Sequence, residues 1–346
     1  MTTIQVADVA GDPRPNPLRR GKAPTVDRPA FFAGDCIAGA ARELRDGSVD
    51  LIVTDPPYGI DGDLLHRHYN RDEDHVIDGY VEVPRAEYAE FSRRWIREAA
   101  RVLRPGGSLY VVSGYTNLYD ILTALRETIL VEVNHIVWKY NFGVYTSRKY
   151  VSSHYHVLFY EKPGGRRTFH QFARHAEADR DERGGSRLYQ DLEDVWIINR
   201  EYKPGQTKNK NELPRALLGK ILQYSSDPGD VVCDFFLGSF STAKVAKGMN
   251  RVAIGFERNA RAFAHQSREV AAVRPGELLA ELPTGRDDRP ARRSERWSEA
   301  DLDQLARRFR QLTREGRTKA VAMEVLQGEF ERGRFSILNA LKRRDL

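Results

Sequence analysis

Apolar residues recur along this chain with the periods of strands and helices. An almost unbroken apolar run from Val49 to Thr54 predicts a buried strand. Between Glu87 and Leu103 apolar residues recur on one face and predict an amphipathic helix. The turn sequence Arg104-Pro105-Gly106-Gly107 is expected to end that helix, and Ser108–Val112 is expected to form the next strand.

The same alternation continues to about residue 270. It predicts the α/β class: a doubly wound, mostly parallel sheet with helices on both faces. The two strands before residue 162 could form an antiparallel hairpin at the edge of that sheet. The further predicted elements are helix Ile121–Glu127, strands Val131–Lys139 and Tyr155–Glu161, helix Pro214–Tyr224, strand Asp230–Phe235, helix Thr242–Gly248, strand Arg251–Phe256 and helix Ala260–Val270.

Changes in composition divide the chain into segments. The N-terminal stretch is polar and rich in Pro and Gly, a second polar stretch interrupts the α/β alternation, and Ser298 has the position of an N-cap in a helical tail. The predicted segments are a flexible arm (1–28), a first α/β part (29–161), a polar region (162–211), a second α/β part (212–284), a charged linker (285–296) and a three-helix module (297–346).

Composition narrows the class of protein. No apolar run approaches the ~20 residues of a membrane helix, and residues 1–28 lack the apolar core of a secretory signal. Cys36 and Cys233 have neither metal-site nor disulfide spacing, which favours a reducing cytoplasm. The formal net charge is +6, and residues 286–346 hold 16 Lys and Arg against 11 Asp and Glu, an excess of five. This basic excess is compatible with nucleic acid, although a solvated surface is the commoner cause.

The tetrapeptide Asp55-Pro56-Pro57-Tyr58 follows the first predicted strand. Ligands of open α/β sheets bind at the carboxyl ends of strands. Because proline has no N–H, the Pro56 carbonyl stays available as an acceptor beside the Asp55 carboxylate. The pair suits a planar amine, and Tyr58 can stack on a ring. A plain turn after a strand is the alternative.

A second candidate site lies at Asp234–Thr242, between a predicted strand and a predicted helix. Its small residues Gly238 and Ser239 let backbone N–H groups approach a ligand at the start of the helix. About 20 residues further on, Glu257 ends the next strand, where an acid can accept both hydroxyls of a ribose. The unit predicts a nucleoside cofactor. A tight turn with a solvent-exposed Glu257 is the alternative.

The two motifs, in this order, resemble those of the beta group of S-adenosylmethionine-dependent DNA amino-methyltransferases. In that group the catalytic motif precedes the cofactor motif, and a variable region separates them. Gly34-Asp35-Cys36 is similar to the family element whose acid meets the cofactor adenine. Trp138-Lys139, His154 and Tyr160-Glu161-Lys162 resemble the strands that wall the base pocket.

This resemblance implies a Rossmann-like methyltransferase fold, in which residues 162–211 are an inserted target-recognition region and residues 297–346 a helix-turn-helix-like appendage. It implies S-adenosyl-L-methionine as cofactor, double-stranded DNA as partner and no metal. The implied catalytic residues are Asp55, Pro56, Pro57 and Tyr58. The implied cofactor residues are Asp35, Cys36, Asp234, Phe235, Phe236, Gly238, Ser239 and Glu257. The candidate DNA contacts are Arg67, His68, Lys139, Arg166 and Arg167.

The reaction that the resemblance implies is methylation of adenine N6 on a flipped base in duplex DNA, because Asp55 occupies the position where cytosine-N4 enzymes frequently have Ser. Cytosine N4 is the alternative. Two further functions are alternatives. Phe240 in place of a glycine suggests a DNA-binding homologue with an impaired pocket, and related motifs also occur in RNA and protein-glutamine methyltransferases. Cytosine C5 methylation requires a cysteine nucleophile, and neither Cys36 nor Cys233 stands beside a proline in a catalytic loop. We also expect a cognate restriction endonuclease and a second copy of the chain as partners. The expected location is the cytoplasm, associated with the nucleoid.

Overall fold

The computed structural model describes residues 3–5, 29–59, 83–141, 143, 145, 147–201, 212–284 and 297–346. The chain forms two compact units, Met1–Gly285 and Arg286–Leu346. The predicted DNA contacts Arg67 and His68 and the predicted linker 285–296 lie outside the described residues. No helix among the described residues is long and apolar enough to cross a membrane.

Nine strands of the described residues form one sheet in the first unit. Across the sheet their order is β1-β2-β9-β8-β3-β4-β6-β5-β7. Strands β2, β9, β8, β3 and β4 are parallel, β6 is antiparallel to both neighbours, β7 is parallel to β5, and β1 is antiparallel to β2. The predicted, mostly parallel sheet is confirmed. The strands are β1 (Thr3–Gln5), β2 (Ala30–Ala33), β3 (Val49–Thr54), β4 (Leu103–Ser113), β5 (Val131–Lys139), β6 (His154–Glu161), β7 (Val195–Ile197), β8 (Val231–Asp234) and β9 (Val252–Glu257).

Helices cover both faces of this sheet, as the alternating sequence pattern predicts. One buried core includes Trp95 and Ile121 and joins α1, α2 and α3 to one face, while another includes Leu218 and Phe263 and joins α5, α6 and α7 to the other. The doubly wound prediction is therefore confirmed. The helices are α1 (Cys36–Glu43), α2 (Tyr88–Val102), α3 (Leu118–Arg126), α4 (Arg187–Leu192), α5 (Arg215–Ser225), α6 (Ser241–Gly248) and α7 (Ala260–Ala272).

The second unit contains three helices, α8 (Glu299–Arg314), α9 (Lys319–Phe330) and α10 (Arg334–Lys342). Ser298 caps α8 as predicted, because its Oγ accepts the Asp301 N–H at 3.1 Å. The Trp297 ring packs against Phe330 with 5.8 Å between centroids. The apolar faces of the three helices meet in a core of their own.

Two features of the sheet, the start of β4 and its edge beyond β5, differ from the prediction because distant segments pair. β4 begins at Leu103 and includes the expected turn sequence, since the Gly106 N–H donates to the Lys162 carbonyl at 2.7 Å. The hairpin of β5 and β6 is not the edge of the sheet, because β7 adds beyond β5. Residues Thr3–Gln5, within the stretch expected to be a flexible arm, form β1 against β2.

Candidate active site at the switch point of the sheet

The two predicted motifs meet at the point where the order of the strands reverses. β3 and β8 are parallel neighbours, with Leu51 opposite Val232, and the chain leaves them toward opposite sides of the sheet. Asp55 follows the carboxyl end of β3, and Asp234 is the last residue of β8. Open α/β sheets bind ligands in the crevice at such a switch point. The motifs of the two halves are thus brought to one edge of the sheet.

The Asp55 carboxyl offers an unused acceptor at this edge. Its Oδ1 atom is buried and has no hydrogen-bond partner among the described residues. The pKa of Asp55 is raised from 3.8 to about 8: burial is the largest cause, the Asp234 carboxyl acts in the same direction, and the Arg200 guanidinium opposes the rise. Buried polar atoms in native proteins are nearly always paired, so an unpaired one in a crevice indicates a ligand or water partner.

Aromatic side chains form a wall beside this carboxyl. The rings of Tyr58 and Tyr155 are 6.4 Å apart and nearly parallel, with 23° between their planes. Tyr155 also contacts Trp138 at 5.6 Å and Tyr140 at 5.4 Å. These residues follow or belong to β3, β5 and β6, which end or begin at the same edge of the sheet. The wall can therefore stack on a planar ring whose amine faces Asp55.

Lys139 lies at this edge too. It ends β5, it is exposed, and its Nζ donates to the Tyr140 carbonyl at 2.6 Å. His154 pairs with Lys139 across the β5–β6 ladder and lies at the same end. Both residues therefore lie at the same end of the sheet as Asp55.

The cofactor motif forms a turn that is tied to the predicted ribose acid. Gly238 adopts the left-handed conformation, with φ of 51°, and its N–H donates to Glu257 Oε2 at 2.8 Å. The Asn259 N–H donates to Glu257 Oε1 at 2.7 Å. Burial raises the pKa of Glu257. Ser239 is buried, with its Oγ 2.6 Å from Ser241 Oγ.

Phe235 and Phe236 pack into the core beneath the turn. The Phe235 ring lies 6.2 Å from the Trp95 ring, and the Phe236 ring contacts Trp95 at 5.4 Å and Phe91 at 5.8 Å. Phe235 is buried, whereas Phe236 is half-buried. The two rings support the floor of the crevice from the side of α2.

Phe240 occupies the turn position where a glycine was expected from the family pattern. Its φ of 59° is the left-handed conformation that glycine adopts without strain. Its ring is fully buried and contacts Phe31 at 5.2 Å and Phe263 at 6.0 Å. The backbone conformation of the turn is therefore kept, and the side chain belongs to the core.

Asp35 and Cys36 lie beside the ribose acid. Asp35 caps α1 by accepting the Ala38 N–H at 2.9 Å, and the neighbouring Gly34 N–H donates to the Glu257 carbonyl at 2.8 Å. Asp35 is exposed, so its second oxygen is accessible. Cys36 is buried, and burial raises the pKa of its thiol far above the ordinary range. Cys36 is thus a small core residue rather than a nucleophile.

Arg166 and Arg167, predicted as DNA contacts, lie away from this crevice, and a contact with DNA stays a prediction. β6 is antiparallel, so its last residue, Glu161, pairs with Ser108 near the start of β4, at the opposite end of the sheet. Arg167 forms an ion pair with Glu161 at 2.8 Å and lies over the Phe159 ring at 5.2 Å. The path that the chain takes after β6, which brings Arg167 back over Phe159, is not contained in a local sequence pattern.

The segment Tyr160-Glu161-Lys162, expected at the base pocket, is at that opposite end as well. The Lys162 Nζ donates to the carbonyls of Ala100 and Leu103, both at 2.7 Å. It thereby provides hydrogen bonds to carbonyls at the end of α2. A cation is favourable there because the C-terminus of a helix carries a partial negative charge.

Two residues at the site were missed from the sequence. Arg200 follows β7, lies over the Tyr140 ring at 4.8 Å and acts on the pKa of Asp55. The apolar patch Val195–Ile198 was the available signal, because a strand there carries Arg200 to the same edge. Tyr88 supports the catalytic turn: a Cβ on Gly59 would lie 2.6 Å from its ring.

The residues at this crevice fit a cationic nucleoside cofactor. The pKa values of Asp55, Asp234 and Glu257 are all raised by burial, and Asp234 raises those of the other two. A positive charge in the crevice would stabilise the ionised form of all three carboxyls. Glu257 and the Gly238 turn lie at the expected place for the ribose, and S-adenosyl-L-methionine supplies both a ribose and a positive sulfonium.

Comparison with known proteins gives the same assignment. Residues 49–268 match the family described as DNA methylase. The chain is 30% identical over 228 residues to type II methyltransferase M.HpaI of Haemophilus parainfluenzae, covering 64% of this chain and 67% of the relative. It is 29% identical over 263 residues to type II methyltransferase M.HinfI of Haemophilus influenzae, covering 71% and 69%.

Solved structures agree on the fold. A DNA modification methylase of Thermus thermophilus, complexed with S-adenosyl-L-methionine, is 25% identical with a TM-score of 0.52, over 72% of this chain and 96% of that one. The cytosine-N4-specific PvuII DNA methyltransferase is 15% identical with a TM-score of 0.53, over 73% and 89%. The latter similarity concerns the fold alone.

Proposed function

Because this chain belongs to the DNA methylase family of S-adenosylmethionine-dependent amino-methyltransferases, we propose that it methylates adenine N6 in double-stranded DNA at a short specific sequence. The observation that carries the proposal is the unpartnered, buried Oδ1 of Asp55, which precedes Pro56 and its acceptor carbonyl in the chain. An exocyclic amine brings two N–H donors to two such acceptors.

Asp55 and Pro56 act on the lone pair of that amine. In a free base the lone pair is delocalised into the ring, which makes the amine a poor nucleophile. Accepting both N–H bonds localises the lone pair toward the methyl donor, and the carboxylate stabilises the positive charge that develops on nitrogen. Asp55 or water then removes the proton. When bound, S-adenosyl-L-methionine supplies an electrophilic methyl group on its sulfonium.

Tyr58 and the aromatic wall hold the base. The amine is inaccessible inside a duplex, so the target nucleotide must leave the stack. Stacking on Tyr58 offsets part of the cost of unstacking, and it fixes the plane in which the amine meets Asp55. Lys139 is exposed at the same edge, where it can contact a phosphate of the entering strand.

Cytosine N4 is the alternative substrate, since its amine presents the same pair of donors to Asp55 and Pro56. Asp rather than Ser at position 55 favours adenine. The designation of the relatives as type II methyltransferases supports a restriction–modification setting, with a cognate endonuclease for the same sequence. We also propose that the protein forms a homodimer and is located in the cytoplasm at the nucleoid. The C-terminal helices are proposed to contact DNA.

Incubation with duplex DNA and tritiated S-adenosyl-L-methionine, followed by nucleoside analysis, tests the reaction. We expect label in N6-methyladenine. Label in N4-methylcytosine would select the alternative, and cofactor binding without transfer would select an impaired pocket. Asp55→Ala should abolish transfer while cofactor binding persists. Long-read detection of modified bases in cells expressing the chain identifies the recognition sequence.

A further inference from the structure

Arg200 is held in an aromatic box beside the catalytic carboxyl. Its guanidinium carbon lies 4.8 Å from the ring centre of Tyr140, 5.2 Å from that of Tyr155 and 5.9 Å from that of Trp138. The side chain is half-buried. These three rings belong to the wall that contacts Tyr58, so the cation lies within the pocket proposed for the target base.

Arg200 and Asp55 each keep a polar atom unused in that pocket. Within the described part of the chain, neither Arg200 Nε nor Asp55 Oδ1 has a hydrogen-bond partner, although both atoms are buried. If the two side chains formed a purely structural ion pair, we would expect direct hydrogen bonds between the guanidinium and the carboxyl, since unpaired buried groups are costly. The Arg200 donor and the Asp55 acceptor therefore indicate a ligand that offers a hydrogen-bond acceptor to the first and a donor to the second.

We propose that Arg200 binds the ring nitrogen next to the target amine, while Asp55 binds the amine itself. This inference rests on the proposed function. The Watson–Crick edge of adenine carries the N6 amine beside the acceptor N1, and that of cytosine carries the N4 amine beside N3. A flipped base stacked on Tyr58 therefore presents a donor to Asp55 and an acceptor to Arg200.

A phosphate is a poorer partner for this guanidinium. The Nε atom is buried beside aromatic rings, where a phosphate would have to lose its hydration. A neutral base with one acceptor on its edge satisfies the donor without adding negative charge. The planar fork of arginine also suits a contact in the plane of the base.

The test combines enzyme variants with a substrate analogue. Duplexes carrying the sequence found by long-read detection are made with adenine or with 1-deazaadenine at the target; the analogue keeps the amine and lacks N1. For a cytosine target the analogue is 3-deazacytosine. Wild-type enzyme should lose about 10- to 100-fold in kcat/KM on the analogue, the range expected when a charged hydrogen bond is removed.

Arg200→Gln should show a similar loss on natural DNA and little further loss on the analogue, because the contact is already absent. Arg200→Lys should restore part of the activity and of the sensitivity to the analogue. Arg93→Gln is the control: Arg93 lies on α2, outside the crevice, and forms an ion pair with Glu127 at 3.0 Å. It should behave as wild type with both duplexes.

A second readout is the pH dependence of the variants. Asp234 and Arg200 are the charged groups that act on Asp55, and Arg200 lowers its pKa. Arg200→Gln should move the acid limb of kcat/KM to higher pH.

Equal losses on the analogue for wild type and Arg200→Gln would overturn the role of Arg200, while wild-type methylation of natural DNA keeps the proposed function. No methylation by the wild type on any DNA would overturn both.

If Arg200→Gln does not fold, the wild-type measurement still decides. Wild-type enzyme that methylates the deaza duplex as efficiently as the natural one has no contact with that ring nitrogen, and the proposal is then wrong. Circular dichroism and the affinity for S-adenosyl-L-methionine establish that each variant is folded.

Discussion

Thr54 Oγ1 donates a buried hydrogen bond of 2.8 Å to Asp234 Oδ1 and so joins the two motifs across 180 residues of sequence. The same Oδ1 atom accepts the Phe236 N–H at 3.0 Å. One carboxyl oxygen thereby fixes both the strand that leads to Asp55 and the turn that leads to Gly238. The proposed catalytic and cofactor motifs are thus positioned by a shared contact.

Thr54→Val should destabilise the protein and weaken cofactor binding. Valine keeps the shape of the side chain but removes the donor, leaving a buried carboxyl oxygen with one partner fewer, at a cost of about 1–3 kcal/mol in the free energy of unfolding. Urea denaturation and calorimetric titration with S-adenosyl-L-methionine measure the two effects. Thr54→Ser keeps the hydroxyl and should stay close to wild type. A Thr54→Val protein with wild-type stability would show that the contact contributes nothing.

The acid limb of activity should follow the titration of Asp55. Its pKa of about 8 means that the stronger acceptor, the carboxylate, predominates only above that pH in the free enzyme. We expect kcat/KM, measured at low cofactor concentration, to rise through about pH 8 and then level off. A bound sulfonium lowers the pKa of Asp55, so the limb in kcat should lie at lower pH. An identical limb in an active Asp55→Asn variant would assign the titration to another group.

The same carboxyl should make stability without cofactor fall as pH rises. The folded-state pKa of Asp55 lies above its ordinary value of 3.8, so the native state binds the extra proton. The corresponding stabilisation is fully present below pH 3.8 and is lost as pH rises through about 8. Asp55→Asn should flatten part of the dependence of Tm on pH between 4 and 8, while the raised pKa values of Asp234 and Glu257 preserve the remainder. Equal slopes for both proteins would contradict this assignment.

The local pattern was enough to predict the central elements. Residues Val49–Thr54 and Val131–Lys139 form strands with the predicted bounds, because both segments are rich in β-branched residues. The placement of Arg167 against Glu161 depends on the path of the chain after β6, which no local pattern contains. The strand at Val195–Ile197 is only three residues long, too short for a local pattern to predict it as a strand. Arg200 was missed for the same reason.

Phe240 should tolerate Gly better than Ala. Both substitutions remove a fully buried ring, which costs about 3–5 kcal/mol in the free energy of unfolding. Glycine also removes the strain of a left-handed residue, worth about 1–2 kcal/mol, whereas alanine keeps it. We expect Phe240→Gly to be the more stable of the two variants in urea, although glycine is ordinarily unfavourable at a helix. A more stable Phe240→Ala would show that φ at this position relaxes when the ring is removed.

The end of α10 should contribute to the salt dependence of DNA binding, if the C-terminal helices contact phosphates. Lys342 and Arg343 are exposed, whereas Arg344 is bound to Glu299 and Asp303. Each phosphate contact adds about 0.9 to the slope of log K against log salt. In the full-length chain, replacing both Lys342 and Arg343 by Gln should therefore reduce that slope by about 2.

Arg308→Gln is the control for this measurement, because Arg308 is already paired with Glu329 at 2.7 Å in the same helical unit. Because Arg308 is neutralised within the protein, its replacement should not change the number of counterions released on DNA binding. The slope should therefore stay unchanged. Fluorescence anisotropy with a labelled duplex, between about 50 and 200 mM salt, resolves a change of this size. If the double variant keeps the wild-type slope, α10 does not contact phosphates through these two side chains, and the basic excess of the C-terminal unit is a solvated surface.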